Sequence, residues 1–475
     1  MHELARDIPK VDRKARMKLP FKGRQLRPVN ERINDFDEVI IPFDEKRAVE
    51  EATRCLHCPD PPPCQKACPA HNDISFAIWL IEKGRFLDAA QVYRQSSSMP
   101  DICSRVCPHE HFCEGACVRS KRGEPVLTGA LESFVADYER KNADFALIPG
   151  ASTGRKVAVI GAGPAGLACA ERLIGYGHWV TIFDARPAPG GLLTYGIPNF
   201  KLSKELVFHF WNKLNQAGAE FVGNTIIGRT KTIDDLFTEG FEAIFVGVGA
   251  GVDLPMGAPG EDLPGVYKAT EYLIRGNVDI ELLPPEISDR PHPGKKVAVI
   301  GGGDTASDCL RTALRLGAEE VVCLYRRTER EMPGNSYDRQ LAWQEGAKFQ
   351  FLTQPIRFIP DQNGHLDQIE CIRMELGEPD EKGRRRPVAI PKSNFFVEAD
   401  TAILALGYRP DPIIGATTPG LRTHKWGLVI TDIETGSTSR MGVFVGGDIA
   451  TGPATVVTAM LAGRKAAQTI DAYLY

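Results

Sequence analysis

Hydrophobic positions along the chain follow two rhythms. From Asp44 to about Ser97, and again over residues 126–140 (VLTGALESFVADYER), apolar residues recur every three or four positions, as in helices that bury one face. The stretch ISFAIWLIEKGRFLDAAQVYRQSS predicts an αα unit. From Lys156 the rhythm changes. Short continuous apolar runs ending in glycine alternate with amphipathic segments, the pattern of buried parallel strands joined by helices. Strands are predicted at Val157–Ile160, Trp179–Phe183, 241–251, Val321–Tyr325 and from Gly442 towards Asp448, with a helix from Thr455 to Ala467. Between residues 345 and 400 the runs KFQFLTQPIRFI, QIECIRMEL and SNFFVEADTAILALG read as strands, with Asn363-Gly364 and Lys382-Gly383 as turns. Residues 1 to 45 are charged, proline-punctuated and nearly aperiodic, and read as an extended arm plus linker.

The fold class is therefore α/β: a helical N-terminal domain, then two Rossmann-type units, the second inserted in the first. The expected boundaries are 1–150, 151–255, 256–405 and a return segment, 406–475.

The apolar pattern gains chemistry at its glycines. KVAVIGAGPAGLACAERL places Gly161, Gly163 and Gly166 in G-x-G-x-x-G spacing between a strand and a helix. That arrangement suits a tight turn, backbone approach to a pyrophosphate, and close helix–strand packing. Asp184 follows 18 residues after Gly166, where a carboxylate can meet a ribose hydroxyl. At residue 296 the opening recurs as KVAVIGGGDTASDCLRTAL, with Gly301, Gly303 and, third, Ala306. Its second strand ends in Arg326-Arg327 instead of an acid. A carboxylate repels a 2′-phosphate, whereas a guanidinium fork binds it in two places. The first unit thus reads as an FAD site and the second as an NADPH site. Towards the end of the chain, Gly447-Asp448 and the following helix N-terminus can address the ribityl chain and the pyrimidine end of a flavin.

Composition changes the picture in one place. Eight of the twelve cysteines lie between Cys55 and Cys117. They form two runs, Cys55-x2-Cys58-x5-Cys64-x3-Cys68-Pro69 and Cys103-x3-Cys107-x5-Cys113-x3-Cys117. Disulfides, two zinc sites and two iron–sulfur cubanes all fit eight cysteines. Zinc ribbons favour two separated C-x2-C knuckles, and only one pair is present. The ferredoxin-like spacing, in which the fourth cysteine crosses to the other cluster, favours two [4Fe-4S] clusters. Cys55, Cys58, Cys64 and Cys117 are then expected around one, and Cys68, Cys107 and Cys113 around the other. Cys103 or Glu132 is the eighth ligand. A net charge of −4 gives no reason to expect nucleic acid. No apolar run reaches a membrane span and the N-terminus lacks a signal-like stretch, so a cytoplasmic protein off the membrane is expected.

Taken in order, EATRCLHC, VIGAGPAGL, GGLLTYGIPNFKL, VIGGGDTASDC, YRRTEREMP, ALGYRP and VGGDIATGPATVV resemble the small (beta) subunits of NADPH-dependent glutamate synthases. They are also similar to the N-terminal half of dihydropyrimidine dehydrogenase and the large subunit of NADH-dependent ferredoxin:NADP oxidoreductase. The resemblance implies an N-terminal double-cluster domain and glutathione-reductase-like Rossmann domains. It implies FAD contacts at Gly161, Gly163, Gly166, Asp184, Gly191, Leu192, Gly447 and Asp448. NADPH contacts would fall on Gly301, Gly303, Asp304, Arg326 and Arg327. Asp184 departs from the longer Glu usual at the flavin ribose, and the spacer PDPPPC is longer than is typical. Implied with these is hydride transfer from NADPH to FAD, single-electron exit through the clusters, and no protein general acid or base. The implied partner, in a hetero-oligomer, is a glutamate synthase large subunit. Ferredoxin, a bifurcating transhydrogenase or another reductase subunit are the alternatives.

Overall fold

The computed structural model describes residues 8, 10–143, 145–287, 289–291, 294–379 and 383–475. Lys382 of the expected Lys382-Gly383 turn lies outside them. Two five-stranded parallel sheets carry the chain from residue 156 onward. The first runs Glu220–Val222, Trp179–Phe183, Lys156–Ile160, Ala243–Val246 and Val443–Val445 in spatial order. The second runs Lys348–Phe351, Glu320–Tyr325, Lys296–Ile300, Thr401–Leu404 and Val266–Lys268. The chain leaves the first sheet at Val252–Asp253 and returns at Tyr408–Arg409, and these two short strands pair antiparallel. The fold class is the one that the apolar runs predict.

The stretch expected to form strands, 345–400 with the run continuing to Leu404, divides in two. Lys348–Phe351 and Thr401–Leu404 join the parallel sheet, while Thr353–Pro360, Leu366–Pro379, Arg385–Ala389 and Phe395–Glu398 form an antiparallel sheet of their own. Its longest strand alternates buried and accessible residues (Leu366, Ile369 and Cys371 buried), as a sheet with one covered face requires.

Ahead of the sheets lie the predicted helices, Glu45–Thr53, Ile74–Glu82, Phe86–Ser96 and Thr128–Asn142, joined by a further helix, Pro100–Val106, that the periodicity does not announce. Asp44 caps the first of these through the Arg47 amide. Ile78, Tyr93, Ile102, Leu131 and Phe134 of these helices belong to one continuous core with Val157, Leu167 and Met460 of the first Rossmann unit. A shared core holds the cysteine block rigidly against that unit.

The reading of residues 1–45 as an extended arm needs correction. Short helices form at Arg13–Met17 and Val29–Arg32, and Gln25–Leu26 pairs with Ile40–Ile41. Arg32 is buried, and its Nε donates to Glu345 at 3.0 Å. Glu345 also accepts from Arg311 (2.9 Å) and Arg315 (2.7 Å) of the second Rossmann helix. Both guanidiniums lie against the Phe200 ring, 4.5 and 4.1 Å from its centre. Long-range ion pairs give this segment its structure, and local periodicity carries no trace of them.

Candidate functional site

Strand Lys156–Ile160 runs through Gly161 into helix Pro164–Tyr176, capped by Gly163. A Cβ at Gly166 would sit 1.8 Å from the Gly161 carbonyl oxygen, so the third glycine is obligatory. A Cβ at Gly163 would meet nothing within 4 Å. The free N–H groups of the helix therefore open onto space that an anion can fill. Asp184 is buried and accepts N–H groups from Ala162 at 2.6 Å and Arg186 at 2.8 Å. Burial raises its carboxyl above the usual range, and these amides pull it back. Asp184 thus braces the glycine turn, a task that its spacing did not announce. Each of its oxygens keeps a lone pair for a ribose hydroxyl.

Gly191 packs on Gly163 and caps the short helix Leu192–Tyr195, leaving Leu192 half-exposed. From the sheet's far edge, Val443–Val445 leads to Gly447 and Asp448. Asp448 accepts the Ala454 amide at 3.2 Å, and burial pushes its carboxyl up to about 6. Helix Val456–Leu474 follows, capped by Thr455.

In the second unit Gly303 caps helix Asp304–Arg315, and a Cβ on it would again meet open space. Asp304 accepts the Asn335 amide at 2.7 Å, pinning the loop that covers this helix end. Arg326 and Arg327 follow strand Glu320–Tyr325. Arg326 is exposed, and Arg327 donates to the Arg385 carbonyl at 2.8 Å. That contact brings the hairpin bearing Arg384, Arg385 and Arg386 beside the pair. The signal, GRRRP, was present in the sequence and was not connected with this site.

Both units open on one cavity of about 680 Å³. Its walls include Leu192, Ile197, Asp448 and Thr455 from the first unit, and Gly303, Asp304 and Tyr408 from the second unit and its connection. Cys107 and His109 line it from the cysteine block.

The eight cysteines separate into two groups, all free thiols. Cys55, Cys58, Cys64 and Cys117 surround a cavity of about 30 Å³. Burial pushes the Cys55 and Cys64 thiols up to about 12, and the neighbouring thiols add to it. Deprotonating such a set calls for a compensating positive core, as in an iron–sulfur cluster. Cys68, Cys103, Cys107 and Cys113 lie deeper, within electrostatic reach of one another and of Glu132. Glu132 is buried, and desolvation with some help from Asp101 pushes its carboxyl up to about 8. Both candidates for the eighth ligand, Cys103 and Glu132, therefore face the second group. Among the described residues no three Cys, His, Asp or Glu side chains converge on a single-ion site. Tyr93, fully buried near both groups, has no hydrogen-bond partner for its hydroxyl among the described residues. The sequence reading also missed the arm's grip on the first group. Arg13 donates to the Leu56 and His57 carbonyls (3.0 and 2.8 Å), and Arg16 donates to the Cys55 carbonyl (2.9 Å) while pairing with Glu82.

Comparison with known proteins agrees with this architecture. The fold is shared with an oxidoreductase from Mycobacterium tuberculosis, FprA, solved in complex with NADPH (TM-score 0.56, 21% identity, 67% of this chain and 84% of that one). Residues 32–144 match the family described as dihydropyrimidine dehydrogenase domain II, 4Fe-4S cluster, and residues 155–463 match pyridine nucleotide-disulphide oxidoreductase. The chain belongs to the pyridine nucleotide-disulphide oxidoreductase family, in the branch that carries a 4Fe-4S domain ahead of the Rossmann units. It is 39% identical to the glutamate synthase [NADPH] small chain of Escherichia coli, over 98% of both chains. It is 40% identical to the E. coli putative oxidoreductase AegA, over 99% of this chain and 72% of that one. The NADPH-Fe(3+) oxidoreductase subunit beta of Geobacter sulfurreducens is 38% identical, over 87% of this chain and 63% of its own length. The resemblance drawn from the motifs is borne out.

No helix is long and apolar enough to cross a membrane among the described residues. The four remaining cysteines, Cys169, Cys309, Cys323 and Cys371, are buried singly in separate helices and strands.

Proposed function

We propose that the chain is the electron-input subunit of a larger reductase, oxidising NADPH and delivering electrons to a separate acceptor. The observation that carries this reading is the shared cavity, which both Rossmann units and Cys107 of the deeper cysteine group border. In this reading FAD lies along Gly161, Gly163, Gly166, Gly191 and Leu192, with Asp184 at its ribose and Gly447 and Asp448 at its ribityl side. NADPH lies on Gly301, Gly303 and Asp304, with Arg326 and Arg327 at the 2′-phosphate. When bound, the flavin takes two electrons from the nicotinamide, and the clusters carry them away singly. The chain's residues position these groups. The Thr455 helix end favours negative charge near the flavin ring, and the glycine turns cradle phosphates. Cys68, Cys107 and Cys113, with Cys103 or Glu132, hold the nearer cluster; Cys55, Cys58, Cys64 and Cys117 hold the farther one.

The acceptor that full-length similarity favours is a glutamate synthase large subunit, which would form glutamate from 2-oxoglutarate and glutamine in the cytoplasm. The second reading, input to a different reductase, draws support from the Geobacter relative at nearly the same identity. Anaerobic purification with iron and flavin quantified, followed by NADPH titration, tests the common core. About eight irons and one FAD per chain are expected, with the flavin bleached by NADPH. Zinc in place of iron, or a flavin that NADPH leaves oxidised, would overturn it. Glutamate formation on mixing with a glutamate synthase large subunit decides between the acceptors.

A further inference from the structure

Residues 10–24 and 118–122 carry ten basic side chains and one acidic one, in a chain of net charge −4. The structure brings both segments to the first cysteine group. Arg13 and Arg16 bind the carbonyls of residues 55–57, and Arg119 donates to the Arg16 carbonyl at 2.7 Å. Several of the ten are used inside the fold: Arg16 pairs with Glu82, Lys22 with Glu50 and Arg24 with Glu114. Lys14, Lys18, Lys121 and Arg122 are exposed, and among the described residues none forms an ion pair. The exposed acids Asp12, Asp60 and Glu124 only partly balance this rim.

The two basic segments meet the first group on the side where it comes nearest to solvent. Cys58 is half-buried, and Pro63 and Val118, which line the small cavity, are themselves exposed. The second group, by contrast, faces the inner cavity through Cys107.

We propose that this basic rim is the docking face for the electron acceptor, and that it receives an acidic protein surface. The inference rests on the proposed electron-input function and adds where the partner binds and with what charge. Opposite fields at the contact point steer encounter and can raise association rates about 10-fold to 1000-fold at low salt. The basic rim selects an acidic face and disfavours a basic one.

The test uses the holoprotein, reduced by NADPH without oxygen, and two acceptors with the same haem: cytochrome c and succinylated cytochrome c, whose lysines are converted to carboxylates. At low ionic strength the succinylated form should be reduced at least about 10-fold faster. That preference should vanish in about 0.5 M salt, where the Debye length falls to a few ångströms. It should also vanish in a variant carrying Lys14→Glu, Lys18→Glu, Lys121→Glu and Arg122→Glu. The milder set of four Gln substitutions should give an intermediate loss, with iron content and dye reduction unchanged in both variants. Equal rates for the two cytochromes, faster reduction of the native form, or a preference that survives charge reversal would overturn the docking face. Failure of NADPH to bleach the flavin of the wild-type protein would instead overturn the function beneath it.

Discussion

The two glycine-turn units begin with the same five residues, KVAVI, at 156 and at 296, and build the same central strand. They part at the helix that follows. The first helix, Pro164–Tyr176, is almost wholly apolar and packs so tightly on helix Val456–Leu474 that a Cβ at Gly463 would lie 2.0 Å from the Ala165 carbonyl. The second, Asp304–Arg315, turns charge inward. Asp308 pairs with Lys201, while Arg311 and Arg315 converge with Arg32 on Glu345. One copy is fixed by backbone-close packing, the other by a buried ionic network reaching into the arm and into the loop at Phe200. A common strand–turn–helix thus specifies a nucleotide cradle, while the outer face of the helix decides how the unit docks.

Exchanging these solutions should break the comparison most visibly at the third glycine. Gly166→Ala drives a methyl into backbone that cannot retreat, and should abolish flavin-loaded soluble protein. Ala306→Gly in the other copy should cost only about 1 kcal/mol, read by thermal melting. Next in size is Glu345→Leu. It strands three buried guanidiniums and should cost about 3–5 kcal/mol in denaturant unfolding. A loss under about 1 kcal/mol would mean that the network is incidental.

Changing Arg326 and Arg327 to Ala should raise the KM for NADPH about 10- to 100-fold and leave NADH nearly untouched. Equal losses for both cofactors would sink the distinction between the two cradles. The smallest effect concerns Asp448. Its folded carboxyl titrates at about 6, above the unfolded value near 4, so the folded chain holds the proton more firmly. Stability of the cofactor-free protein should therefore fall as pH rises from about 4 to about 6 and stay level above. With the side chain partly exposed, the change should be on the order of 1 kcal/mol. Asp448→Asn should flatten that slope in melts across the same range.

What the sequence made legible follows from where the information lies. Both cradles could be read because strand, turn and helix are consecutive and each glycine answers a local demand. The grouping of Cys117 with Cys55, Cys58 and Cys64 is expected from the spacing of the two runs, and these four side chains line one small cavity. The arm could not be read. Arg32 looks like one more surface charge until Glu345 arrives 313 residues later. For the same reason Arg16, whose partners are the Cys55 carbonyl and Glu82, passed as linker. The second job of Asp184, bracing the Ala162 amide, was hidden because spacing shows that an acid is present and not which of its two faces is occupied.

The Arg32–Glu345 pair also sets an order of events during synthesis. At about 5–20 residues per second, a ribosome needs roughly 15 to 60 seconds to travel from residue 32 to residue 345. Through that interval Arg32 lacks its carboxylate partner, while the neighbouring residues 36–39 find partners earlier in Arg105, which pairs with Glu38, and Asn199, which donates to the Phe36 carbonyl. Among the described residues, the ionic knot at Arg32 is thus the last of the arm's ion pairs to become available, although Arg32 itself is among the first to be made.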